Sequence, residues 1–275
     1  MGLISFVGAG PGAPDLLTLR GLDRLRRAEI VIWASSLIPE EMLDHTGPGA
    51  QLLDSAPMTL EDVVGVYERN PEARIVRLHS GDPSIYGAVA EQIEWCVAAG
   101  RTFEIVPGVT SVSAAAAVLG RELTIPQVAQ SLVVTRVARR TSSSMPEHES
   151  LAAYAAIGGT LAILLSGAQP ELVQEELTAP GSRFGPETPA AVVIRATWPD
   201  EQVIWTTVAE LAATIRASKA TRTLTVVVGG ALTAGAARSH LYSPHTLLIA
   251  SLILPFSIPT TSSCSPSVMS LLWLS

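Results

Sequence analysis

Residues 3–21 read LISFVGAGPGAPDLLTLRG: a β-branched apolar run that breaks at a glycine cluster and resumes with leucines three apart. This is a strand, a turn and a helix. The strand covers residues 4–7, the turn is Gly8-Ala9-Gly10-Pro11-Gly12, and the helical pattern runs over 16–27 from an opening at Asp15, with Leu16, Leu19, Leu22 and Leu25 on one face. Glycines let a backbone approach a ligand closely, and a helix start offers unpaired N–H groups. A tight β–α turn without any ligand has the same sequence, so this stretch decides the fold before it decides a function.

The same grammar continues outward. Residues 30–33, 75–78 and 103–106 read as strands, and 85–99 and 111–119 as helices. Alternating β and α segments predict a largely parallel sheet with ligand loops at the carboxyl ends of its strands. A second series of strands covers 132–135, 161–165, 191–194, 203–206 and 223–228, with helices over 170–177 and 208–217. The expected fold is therefore α/β with two consecutive α/β domains, residues 1–120 and 121–245. Their junction lies in 120–130, where Pro126 interrupts the pattern. TSSSMP at 141–146 reads as a loop of the second domain, and 246–275 form a Leu-, Ser- and Pro-rich tail without periodicity.

Composition narrows the function. The 275 residues are 48% hydrophobic, ample for large cores, and carry a formal charge of −7, which argues against a nucleic-acid partner. An anionic substrate would need local arginines or backbone N–H groups against that field. The two cysteines, Cys96 and Cys264, have neither metal-ligand spacing nor the pattern of a disulfide framework, so no metal is expected. The chain runs straight into its first strand without a signal-peptide pattern, which predicts a cytoplasmic protein. The apolar run at 247–258, broken by Ser251, Pro255 and Ser257, is shorter than the roughly 20 residues of a spanning helix, and no membrane partner is expected.

Two more strand–loop–helix junctions resemble the first in design. After the strand at 75–78 comes His79-Ser80-Gly81-Asp82-Pro83-Ser84-Ile85-Tyr86-Gly87, with a carboxylate between a glycine and a proline. Asp82 there either accepts hydrogen bonds from a ligand or caps the following helix. His79 borders an apolar strand and is given no role. After the strand at 103–106 come Pro107, Gly108, Val109, Thr110 and Ser111, whose hydroxyls suit a helix cap, a ligand contact or both. Three such loops at one sheet edge suggest one site for a nucleotide-like ligand. Gly8, Gly10 and Ala13 also satisfy a loose dinucleotide pattern, but that fingerprint needs an acidic residue ending the next strand. Here the strand ends in Ala34-Ser35-Ser36, with Glu29 at the wrong end, which argues against an NAD enzyme.

VGAGPGAPDLLTLRG, HSGDPSIYG and VPGVTSVSAA, in this order and spacing, resemble the tetrapyrrole methylase family. LVVTRVARRTSSSMPEHESL, LAILLSG, PAAVVIRATWPDE and TRTLTVVVGGAL extend the resemblance over roughly residues 3–245. VIWASSLIPEEML and RLHSGDPSIYGAVAEQ look most like the branch acting on precorrin-4 or cobalt-precorrin-4. The resemblance implies an active site in a cleft between the two domains, a homodimer, S-adenosylmethionine as cosubstrate, and methyl transfer to ring carbon 11 of a tetrapyrrole in corrin biosynthesis. It places cofactor contacts on Pro11, Ser80, Gly81, Asp82, Ile85, Thr110, Ser111, Ser166 and Ala196. Asp82→Ala is accordingly expected to weaken cofactor binding and leave the fold intact. The arginines best placed for the substrate's carboxylates are Arg136, Arg139 and Arg140; no general base is identifiable. Ser35 stands where the family pattern has glycine, relatives differ at Ser166 and Ala196, and the tail matches no part of the pattern. Another ring position or corrinoid precursor, a nucleotide-cofactor oxidoreductase and a catalytically silent metabolite binder remain the alternatives.

Overall fold

The computed structural model describes residues 2–137 and 145–235, so Arg139, Arg140 and the tail 246–275 lie outside the described residues. The first half builds a five-stranded sheet from β1 (Leu3–Gly8), β2 (Ile30–Trp33), β3 (Gln51–Asp54), β4 (Ile75–His79) and β5 (Thr102–Val106), in the order β3-β2-β4-β1-β5. Every pair is parallel. Successive side chains of a strand point to opposite faces. Ile4 and Phe6 of β1 therefore pack with Val63, Val66 and Tyr67 of α2 (Leu60–Arg69) and Cys96 of α3 (Ala90–Ala98). Val7 and Ala9 face the other way, onto Leu25 of α1 (Leu19–Arg27) and onto Met42 and Leu43 of a short 3-10 turn. Both faces of the central strands β1, β2 and β4 are thus covered, which is why they read as largely apolar runs, while the edge strands β3 and β5 stay partly exposed. Each fully buried Ile, Leu or Phe contributes about 1.5–3 kcal/mol to this core.

The second half builds another five-stranded sheet from β6 (Leu132–Thr135), β7 (Thr160–Ile163), β8 (Pro189–Ile194), β9 (Gln202–Thr207) and β10 (Leu224–Val228), ordered β6-β7-β10-β8-β9. Here only β6 and β7 run parallel; β10 is antiparallel to both β7 and β8, and β8 to β9. One face is covered by α5 (Leu151–Ile157), α6 (Pro170–Leu177) and α7 (Leu211–Ser218), through Leu151, Val173, Leu177, Leu211 and Ile215. The other is covered by α4 (Ser111–Leu119), whose Val112, Ala114, Ala115 and Leu119 meet Ala162, Leu164, Ala191, Val193 and Val227. Although α4 directly follows β5, it packs on the second sheet, so residue 120 closes a helix that already belongs to the second core.

Several boundaries differ from the sequence reading. α1 starts at Leu19, not at 16, because Thr18 caps it by accepting from the Gly21 N–H, while Asp15 sits in a 3-10 turn. α3 starts at Ala90, not at 85, because Tyr86 and Ala88 adopt left-handed φ of 54° and 48°. β3, α2 and α5 were not anticipated. β3 is a mostly exposed four-residue edge strand, whereas α2 is announced by a capping box between Thr59 and Asp62. No helix among the described residues is long and apolar enough to cross a membrane.

Candidate active site

Because β1, β4 and β5 are parallel neighbours, their carboxyl ends lie side by side, with Gly8 opposite His79 and Val7 opposite Val106. The three loops that leave them touch through glycine backbones. A Cβ on Gly8 would stand 2.6 Å from both the Gly108 Cα and the Gly81 carbonyl oxygen, and one on Gly108 would stand 2.3 Å from that same oxygen. Gly10 and Gly81 exchange backbone hydrogen bonds of 3.2 and 2.8 Å, and both hold left-handed φ, 76° and 68°. Only glycine fits such an approach without strain.

Asp82 closes this arrangement. Its residue is 9% exposed; one carboxylate oxygen accepts from the Ser84 N–H at 2.7 Å and the other from the Gly108 N–H at 2.8 Å. The first bond closes a turn within the β4 loop and the second ties that loop to the β5 loop, and Asp82 caps no helix. Where the sequence reading expects the loss of Asp82 to spare the fold, this geometry predicts a cost in stability as well. Thr110 does cap α4, accepting from the Ser113 N–H at 3.2 Å, and Ser111 is the first residue of that helix. Pro11 lies in the β1 loop; Ser80 is half-buried and Ile85 is 39% exposed on the β4 loop.

The second sheet presents its own strained turns. Leu165 (φ 54°) follows β7 and Arg195 (φ 50°) follows β8, immediately before Ser166 and Ala196. Non-glycine residues rarely take this conformation, and such outliers cluster at functional sites. Ser166 is buried; its hydroxyl donates to the Leu164 carbonyl at 2.7 Å and accepts from the Val137 N–H at 3.0 Å, which holds the chain leaving β6. Ala196 packs into the α4 core, so only its backbone is available to a ligand. Arg136 follows β6 at this side. Burial raises the pKa of the Tyr86 phenol on the β4 loop, and the positive charge of Arg136 acts against that rise. The structure thus gathers Pro11, Ser80, Gly81, Asp82, Ile85, Thr110 and Ser111 at one sheet edge, and places Ser166 and Ala196 at strand ends of the other sheet.

Thr197, Trp198 and Asp54 escaped the sequence reading, whereas His79, which that reading gives no role, is buried. Thr197 and Trp198 reach the glycine loop: the Thr197 hydroxyl accepts from the Ala13 N–H and the Trp198 indole donates to the Pro11 carbonyl, both at 2.9 Å. His79 is 6% exposed, and burial, followed by the nearby charge of Arg77, pushes its pKa down to about 3, leaving a neutral ring beside Asp82. Among the described residues, the carboxylate that ends a strand beside β2 is Asp54 of β3. It accepts from the Ser35 N–H and hydroxyl and the Ala56 N–H, so it does not offer the free acid that a dinucleotide ribose requires.

The family model for Tetrapyrrole (Corrin/Porphyrin) Methylases matches residues 3–212. The chain belongs to this family. This tetrapyrrole methylase is 45% identical over 245 residues to a precorrin-4 C(11)-methyltransferase of a Sinorhizobium species, covering 88% of this chain and 95% of that protein. It is 41% identical over 228 residues to the cobalt-precorrin-4 C(11)-methyltransferase of Priestia megaterium, covering 82% and 87%. Among solved structures, a cobalamin biosynthetic cobalt precorrin-4 methyltransferase superposes with a TM-score of 0.80 at 39% identity, covering 84% of this chain and 96% of that one. The uroporphyrin-III C-methyltransferase of Thermus thermophilus in complex with S-adenosyl homocysteine superposes with a TM-score of 0.69 at 25% identity, covering 84% and 93%. The expected family and α/β fold are borne out. The three glycine loops of this tetrapyrrole methylase fall within the residues its family model matches.

Proposed function

We propose that this tetrapyrrole methylase transfers a methyl group from S-adenosylmethionine to ring carbon 11 of precorrin-4 or cobalt-precorrin-4 in corrin biosynthesis. The observation that carries the reading is identity of 40–45% to enzymes of those two names across nearly their whole length. The residues present suit the methyl donor. Glycine backbones that a Cβ would fill line one edge, exposed Ile85 and Leu165 offer apolar surface, and the N-terminus of α4 is polar.

S-adenosylmethionine brings its own activated methyl group on a sulfonium, so the chain needs to supply neither a metal nor a covalent nucleophile. Its residues orient. On this reading Pro11, Ser80, Gly81, Asp82, Ile85, Thr110, Ser111, Ser166 and Ala196 form the donor site, with Asp82 acting through the loops it ties. Arg136, Arg139 and Arg140 meet the substrate's carboxylates, supplying locally the positive charge that a net −7 chain lacks overall. Holding donor and acceptor carbon in line recovers up to roughly 7–11 kcal/mol of barrier through proximity. The reading also includes two domains flanking the cleft, their boundary moved from residue 120 to the segment between β5 and α4 because α4 packs on the second sheet, together with a homodimer and work in the cytoplasm.

The test is anaerobic incubation with labelled S-adenosylmethionine and either precorrin-4 or cobalt-precorrin-4, followed by mass spectrometry with fragment mapping. One methyl gained at carbon 11 is expected, and the preferred substrate tells which of the two pathways it serves. A methyl at another position, or only on another precursor, would replace the substrate assignment. Donor binding with no transfer to any tetrapyrrole would make the chain a silent binder.

A further inference from the structure

The turn from β8 to β9 does more than join two strands. The Trp198 ring lies so close to Gly12 that a Cβ built there would stand 2.2 Å from its Cδ1 and 2.5 Å from its Nε1. Its indole N–H donates to the Pro11 carbonyl and the Thr197 hydroxyl accepts from the Ala13 N–H, both at 2.9 Å. Three consecutive residues of the glycine loop, 11 to 13, are thus held by two consecutive residues of the second half. Behind the ring, the Arg195 guanidinium stands 4.1 Å from its centroid and pairs with Asp200 at 2.9 Å. Arg195 and Thr197 both hold left-handed φ, 50° and 69°, with the Thr197 N–H donating to Glu201 at 2.5 Å. A β-branched residue in that conformation is costly unless its surroundings impose it. The ladder between β8 and β9 is complete from Pro189↔Thr207 to Ile194↔Gln202 before this turn begins, so the clasp is not needed to pair the strands.

We propose that Trp198 and Thr197 are positioning residues for the methyl donor: they hold the glycine loop in its binding conformation and make that conformation depend on the second half of the chain. The inference rests on the glycine loop being part of the donor site. A loop freed from the clasp occupies its competent conformation only part of the time, and the apparent donor affinity falls by that fraction.

Calorimetric titration of the full chain with S-adenosylhomocysteine, alongside urea unfolding, tests this in wild type, Trp198→Ala, Trp198→Phe and Thr197→Val. Losing one or two ordinary hydrogen bonds corresponds to about 5–30-fold in affinity. Trp198→Ala should bind at the weak end of that range. Trp198→Phe keeps a ring over Gly12 but loses the N–H, and should fall between Trp198→Ala and wild type. At saturating donor, the kcat and tetrapyrrole KM of the variants should stay near wild type, while the donor KM rises. Wild-type affinity in folded Trp198→Ala would overturn the proposal, as would losses that merely track the urea midpoint or affect both substrates' KM values equally. Wild-type protein that fails to bind the probe would instead remove the donor-site reading beneath it.

Discussion

Asp82 gives the sharpest prediction, because its two carboxylate oxygens are committed to two backbone donors in different loops, Ser84 at 2.7 Å and Gly108 at 2.8 Å. Hydrogen bonds to charged groups contribute about 1.5–3 kcal/mol each, and the lower end applies to a part-buried pair. Asp82→Ala should therefore cost about 2–4 kcal/mol of stability. It should also weaken S-adenosylhomocysteine binding, since the β4 and β5 loops would no longer be tied. Asp82→Asn separates the causes. The amide retains one acceptor oxygen but turns an NH₂ toward the other backbone N–H, so asparagine should be nearly as damaging as alanine. Urea unfolding midpoints and donor titrations of the three proteins give both quantities. A side chain that only touched the ligand would leave the midpoint unchanged in both variants. That result, whatever happened to donor affinity, would refute the claim that Asp82 works as a staple.

Three further outcomes follow from the same geometry. Gly108→Ala would drive a Cβ to 2.3 Å from the Gly81 carbonyl oxygen, so it should lower the melting temperature and abolish donor binding together; a near-native melt by circular dichroism would contradict this packing. His79 is held neutral with a folded pKa of about 3, below the value near 6.5 of an unfolded chain. The unfolded state thus takes up the proton first as pH falls. Stability from the neutral ring is whole above about pH 6.5 and drains away toward pH 3, at up to about 1.4 kcal/mol per unit. His79→Gln should flatten the decline of the urea midpoint between pH 7 and 5, and equal slopes in the two proteins would count against it. Neutralising Arg139 and Arg140 together should raise the tetrapyrrole KM at constant donor affinity, and steady-state kinetics showing no change would remove both from the substrate site.

Much of the first sheet was legible because central parallel strands are covered on both faces, so β1, β2 and β4 stand out as largely apolar runs, and the edge strand β5 is marked by the Pro107-Gly108 break that ends it. β3 was not, because an edge strand with exposed Gln51, Leu52 and Asp54 carries no such constraint. The strands of the second half were visible one by one, but their directions were not: apolar runs of four to six residues look alike in parallel and antiparallel ladders once both faces are covered. The start of α3 was misplaced because left-handed backbone at Tyr86 and Ala88 leaves no mark in residue type.

The α/β grammar, the three glycine loops and their common edge can be read from the chain alone, because glycine and strand periodicity act locally and leave local signatures. The family can be read there too, since the motifs' order and spacing are properties of the chain alone. The tertiary structure decided what the individual side chains do. Asp82 ties two loops 26 positions apart, α4 covers a sheet it does not follow, and Trp198 reaches Pro11 across 187 positions. Contacts at such separations are set by how two sheets and their helices pack in three dimensions, and no local propensity or spacing encodes them.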